Sequence, residues 1–144
     1  MSLKKAIKKE FKKMESRGWD KIFWMVDFHD TIMPGSYTKD DGDVDFYPHA
    51  TDVLKTLTDR KDICLILWTS SYEDYLEKHI TRMKDMGIKF EYFNENPQCE
   101  SDDLCDFSGK FYFNVVLEDK AGFDGTEDWK MIKKLLKKYP DKTP

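Results

Sequence analysis

Two short, unbroken hydrophobic runs set the terms for what this chain can fold into. Ile22-Phe23-Trp24-Met25-Val26 ends at Asp27, and Ile63-Cys64-Leu65-Ile66-Leu67-Trp68 ends at Thr69-Ser70-Ser71. Each has the length of a strand and is apolar at every position, so both of its faces must be covered. Such runs belong in the middle of a parallel sheet, and parallel neighbours need a crossover segment between them. The intervening residues have helical spacing. Residues 49–57 put Ala50, Val53, Leu54 and Leu57 on one face, with Pro48 near the start. Residues 72–86 do the same with Tyr75, Leu76, His79, Ile80 and Met83, and Gly87 stops them. Residues 90–93 predict a short third strand, and residues 113–117 a fourth that runs into Glu118-Asp119. Thr126 opens a last helix, to about residue 138, with Glu127 and Asp128 in its first turn and Ile132, Leu135 and Leu136 inside. Strands alternating with helices predict a three-layer, Rossmann-like α/β domain with a mainly parallel sheet and right-handed crossovers.

The 144 residues fit one domain with one core. Residues 1–17 form an amphipathic N-terminal helix, 22–124 the motif-bearing core and 126–138 the C-terminal helix. In the first of these, Leu3, Ile7, Phe11 and Met14 share a face, Ser2 caps the start and Gly18 ends it in a left-handed turn. Lysines 4, 5, 8, 9, 12 and 13 cover the rest, a solvated surface or a docking face for a membrane or partner. A net charge of −4, from 24 basic against 28 acidic side chains, argues against nucleic acid as partner. Cys64, Cys99 and Cys105 read as reduced thiols in a cytoplasmic protein, and the spacing of the last two does not suit zinc. No run approaches the ~20 apolar residues of a membrane span. Trp24, Trp68 and Trp129 read as core anchors, and His49 and His79 as ordinary packing or surface residues. Tyr37 and Asp40, Asp41, Asp43 and Asp45 fall in a polar loop that could gate a substrate but reads first as solvated.

In open parallel sheets the ligand sits beyond the carboxyl ends of the strands. Asp27 and His29 follow the first apolar run, Thr69 the second, and Glu118 and Asp119 the last. Carboxylates converging from two strand ends make a hard-oxygen pocket suited to Mg²⁺. With a lysine and a threonine hydroxyl beside it, such a pocket supplies the positioning and charge neutralisation that phosphoryl transfer needs.

These residues resemble the haloacid-dehalogenase (HAD) superfamily, from residue 21 to residue 124. Its first motif is an apolar strand followed by Asp-x-Asp-x-Thr; here WMV leads into Asp27-Phe28-His29-Asp30-Thr31. LILWTSS fits the second motif with Thr69, Lys110 in GKFYF stands for the third, and NVVLEDKAGFD holds the acidic pair of the fourth in Glu118 and Asp119. Asp124 is a further acidic candidate. The Asn94-Glu95-Asn96-Pro97 segment is similar to one in small bacterial and phage members. The resemblance implies Asp27 as nucleophile and metal ligand, the main-chain carbonyl of His29 as a second ligand, and Asp119 as a third. It implies Thr69, Ser70 and Lys110 as the phosphoryl-binding groups, with Lys110 also restraining Asp27. The stretches 31–48 and 69–110 are too short for a full cap domain, so the site should be open.

One departure bears on function. The superfamily's second aspartate, the general acid/base of its phosphatases, is His29 here, and its usual glycine is Asp30. An imidazole can protonate a leaving oxygen near neutral pH, and Asp30 could reach in instead. The expectation is a Mg²⁺-dependent phosphohydrolase working through an aspartyl-phosphate on Asp27, weakened by His29, on a phosphorylated substrate of unknown identity. The alternative is a catalytically silent HAD-like binding module that docks a partner through its basic helix. Sequence does not name the oligomeric state.

Overall fold

The structure is a computed structural model that describes residues 1–36, 44–97 and 99–144. Its order is α1 (Leu3–Arg17), β1 (Ile22–Val26), α2 (Ala50–Asp59), β2 (Ile63–Leu67), α3 (Glu73–Asp85), β3 (Tyr92–Phe93), β4 (Val115–Leu117) and α4 (Asp128–Leu136). Among the described residues four strands form one sheet in the order β3-β2-β1-β4, every pair parallel. Helices flank it, giving the Rossmann-like three-layer α/β arrangement. The two apolar runs are its central strands, with Ile22 opposite Ile63 and Val26 opposite Leu67.

Burial explains the pattern. All of β2 and all of β1 except Phe23 are buried. Trp24 and Val26 of β1 pack with Leu65 and Leu67 of β2 into one cluster with the apolar faces of all four helices. On the other face Phe23 meets the ring of Tyr112 edge-on at 5.4 Å. α1 begins at Ser2, whose hydroxyl accepts from the Lys5 N–H, and ends at Gly18 with φ of 67°. Ile7 and Phe11 are buried and Leu3 and Met14 half-buried, leaving Lys4, Lys5, Lys9 and Lys12 exposed. No described helix is long and apolar enough to cross a membrane. The three cysteines are free, Cys64 buried and Cys105 exposed.

Several element ends differ from the sequence reading, each for a local reason. The third strand shrinks to two residues, and the fourth starts at Val115 because the Asn114 side chain accepts the Phe23 N–H at 2.8 Å in place of a backbone partner. The last helix starts at Asp128 rather than Thr126. Asp124 takes the Thr126 N–H and hydroxyl on its carboxylate, and its own N–H donates to Asp128. Tyr75, expected inside, is 38% exposed. Trp24 and Trp129 are core anchors as read, but Trp68 is not. The strand ends one residue before it, and its ring is 41% exposed. Tyr37, Asp40, Asp41 and Asp43 lie outside the described residues; Asp45 is exposed, 3.5 Å from Arg82.

Candidate active site

Parallel pairing brings the ends of β1, β2 and β4 to one edge of the sheet. There a cleft of about 580 Å³ is lined by Asp27, His29, Asp30, Gly35, Trp68, Thr69, Ser70, Ser71, Glu118, Asp119 and Lys120. Carboxylate oxygens of Asp27, Glu118 and Asp119 all lie within 4.8 Å of one another.

The turn after β1 holds this geometry. The Thr31 hydroxyl donates to Asp27 Oδ2 and accepts from the Asp119 N–H, each at 3.2 Å, so one buried side chain ties the β1 exit to the β4 exit. Trp129 of α4 donates its indole N–H to the Thr31 carbonyl at 2.8 Å, fixing the turn from below. Asp30 occupies the left-handed region at φ of 61°, where glycine is favoured and aspartate is among the better-tolerated alternatives. Its carboxylate accepts the Gly35 N–H at 2.9 Å, which helps to close the turn.

The β2 exit is clamped from the side. Asn94 accepts the Thr69 N–H on Oδ1 and donates Nδ2 to the Thr69 carbonyl, both at 2.8 Å, as a strand neighbour would. The Thr69 hydroxyl accepts the Ser71 N–H at 3.1 Å. The Ser71 hydroxyl lies 3.1 Å from Nδ1 of His29, setting the imidazole at the cleft wall. Replacing Asn94 by alanine should lower stability, because it frees the Thr69 backbone and leaves a residue without a polar side chain at φ of 52°. Two lost amide hydrogen bonds cost about 1–3 kcal/mol in total. Thermal melting of the wild type and the variant checks this; an unchanged melting temperature would count against the clamp.

Three carboxylates this close repel one another. Burial, then the charge of Glu118 and a hydrogen bond with Asp119, push Asp27 up to about 7. Burial and Asp119 also raise Glu118, whereas hydrogen bonding with Glu118 holds Asp119 below the ordinary carboxylate range. The cluster thus retains a proton where isolated carboxylates would be ionised. A divalent cation relieves the same repulsion, and an all-oxygen donor set suits a hard ion such as Mg²⁺ rather than a thiophilic one.

No protein-family model and no curated protein sequence matches the chain. A solved structure that does match is that of a conserved protein from Bacteroides thetaiotaomicron. The two are 24% identical, with a TM-score of 0.60, over 83% of this chain and 93% of that one. The likeness shows a shared fold.

Two residues singled out in the sequence lie elsewhere. Lys110 is exposed and outside the cleft lining. Asn96 braces its segment, accepting the Tyr112 N–H at 2.7 Å and donating to the Phe107 carbonyl at 2.8 Å. The aromatic rings of Phe111 and Tyr112 then turn toward Trp68 and Phe23, leaving the lysine to solvent. The lysine of the cleft lining is Lys120, which follows the acidic pair directly. Asp124 is exposed and serves the start of α4, where its hydrogen bonds with Thr126 lower its pKa. Asp27, His29, Asp30, Thr69, Ser70, Glu118 and Asp119 all line the cleft, and Ser71 and Trp68 join them without having been singled out for it.

Proposed function

We propose that this chain is a HAD-like, Mg²⁺-dependent phosphohydrolase that forms an aspartyl-phosphate on Asp27. The observation that carries this reading is the convergence of Asp27, Glu118 and Asp119 within 4.8 Å at the carboxyl ends of two adjacent parallel strands, in a cleft also lined by hydroxyls. Asp27, Glu118 and Asp119, with the main-chain carbonyl of His29, would hold the ion, which supplies charge neutralisation for the phosphoryl oxygens. The Thr31 hydrogen bond fixes the rotation of the Asp27 carboxylate before reaction. Thr69 and Ser70 donate hydroxyl protons to the phosphoryl group, and Lys120 takes the charge role that the resemblance gave to Lys110. An Asp27 oxygen bonds to phosphorus as the P–O bond to the alcohol breaks. The alcohol oxygen takes its proton from water in the cleft, because position 29 holds an imidazole directed toward Ser71 in place of the usual aspartic acid. Water then attacks the phosphorus of the acyl-phosphate, releasing inorganic phosphate and restoring the carboxylate.

The test is phosphate release from an aryl phosphate with and without Mg²⁺, joined to the pH dependence of metal binding. Below about pH 7 the ion must displace the proton held by Asp27 and its neighbours. Apparent Mg²⁺ affinity should therefore rise about tenfold per pH unit up to about 7 and level off above it. Stability of the metal-free protein should run the other way. The folded state keeps a proton that an unfolded aspartate loses near 3.9, so stability falls as pH rises from about 4 through 7. Calorimetric titration and melting curves from pH 5 to 8.5 measure both slopes. Affinity flat across that range, or phosphate release indifferent to Mg²⁺, would count against the metal site.

A further inference from the structure

Trp68 is the large apolar side chain of the cleft wall, and it is 41% exposed. Its backbone is fixed on both sides. Its N–H donates to the Val26 carbonyl at 2.8 Å, and the residue after it is clamped by Asn94. Val26 pairs with Leu67, so Asp27 and Trp68 are the residues that directly follow two adjacent, paired strand ends. The ring of Phe111 stands 6.5 Å from the indole, inclined at 40°, and limits its swing. An aromatic plane thus lines the same cleft as Asp27 and the hydroxyls of Thr69 and Ser70. An aromatic wall with a few polar groups beside it is the usual lining of a small-molecule site.

We propose that the cleft selects phosphomonoesters whose alcohol carries a planar nucleobase, that is nucleoside monophosphates, with Trp68 as the stacking platform. The inference rests on the phosphoryl-transfer reading for where the phosphate sits. Trp68 directly precedes Thr69 and lines the same cleft as Asp27, so the indole is within the space open to the alcohol of a phosphate held there. The polar wall formed by Ser70, Ser71 and Asp30 offers donors and acceptors to a sugar and to the base edge, which a simple aryl group would leave unused. A volume of about 580 Å³ is within the range of small-molecule sites. A polynucleotide fits poorly. Among the described residues that line the cleft the cation is Lys120, set against four carboxylates, whereas a nucleic-acid track needs several cations along the backbone.

The experiment uses the full chain with Mg²⁺ and two hydrolysis-resistant probes. They are the phosphonates of adenosine 5′-monophosphate and of ribose 5-phosphate, with a methylene in place of the bridging oxygen. Calorimetry should show the adenosine compound binding roughly 5- to 150-fold tighter, the worth of one base stacked on an aromatic side chain. Trp68→Ala should bring that ratio to about one, and Trp68→Phe should keep most of it. Equal binding of the two probes to the wild type, or a preference that survives Trp68→Ala, overturns the proposal. Phosphate release from the parent esters separates this failure from that of the underlying reading. Base-dependent binding without release of phosphate from either ester keeps the stacking site and removes phosphoryl transfer. Release from both esters at equal efficiency removes the stacking site alone.

Discussion

Asp27→Asn should reduce phosphate release to below roughly 10⁻³ of the wild-type rate, because a neutral amide oxygen is too weak a nucleophile toward phosphorus. The fold should survive, since the amide has nearly the same shape and its oxygen can still accept from Thr31. Metal-free protein should even gain stability above pH 7. Burial and the charge of Glu118 make the ionised Asp27 unfavourable there, and the amide removes that charge. Loss of activity joined to a raised melting temperature at pH 8 distinguishes a chemical role from a packing role, which would lose both together. Activity retained in Asp27→Asn would remove this residue as the nucleophile and point to direct attack by water or by another group of the cleft.

The fold was largely legible because its central strands are apolar on both faces, and few arrangements other than a helix-covered parallel sheet accept such runs. Ends of elements were less legible, since side chains set them by standing in for backbone. Asn114 takes the first rung of the β1–β4 ladder, and Asp124 with Asp128 closes the start of α4. No periodicity in the sequence announces either substitution.

The cleft was legible where chemistry and strand ends coincide, as at Asp27, Thr69 and Asp119, because parallel order places those ends side by side. Lys110 stands outside the cleft lining for a different reason. Its position depended on the irregular segment before β4, whose path is set by the side-chain amide of Asn96 and by aromatic contacts of Phe111 and Tyr112. Lys120 was within reach of the same reasoning, since it directly follows the acidic pair. Trp68 was misread because it ends a continuous apolar run, and only the register shows that the run leaves the sheet one residue earlier. Thr31 belongs to the quoted motif. Its role as a brace between two strand ends becomes visible only when both ends are in place.

His29→Asp should raise Mg²⁺-dependent phosphate release by about 10²–10⁴, the usual worth of a positioned general acid. Position 29 lines the cleft two residues beyond Asp27, and the proposed reaction requires a proton there for the departing alcohol oxygen. A carboxyl group placed there would share the cleft with Asp27, Glu118 and Asp119. With Mg²⁺ bound the ion offsets those charges, and the added carboxyl group serves as the proton donor that the proposed leaving oxygen requires. The His29 imidazole is instead directed through Nδ1 toward Ser71, 3.1 Å away. Rates at saturating Mg²⁺ should rise mainly in kcat, because the new group acts on the leaving oxygen and not on binding. Mg²⁺ titration of the variant must accompany the rates, since a change at residue 29 that weakened the ion would hide the gain. A lower rate with a displaced pH optimum would instead identify His29 as the acid already at work. If wild type and variant both bind Mg²⁺ and both stay inert across a broad panel of phosphate esters, the carboxylate cluster serves binding and not phosphoryl transfer.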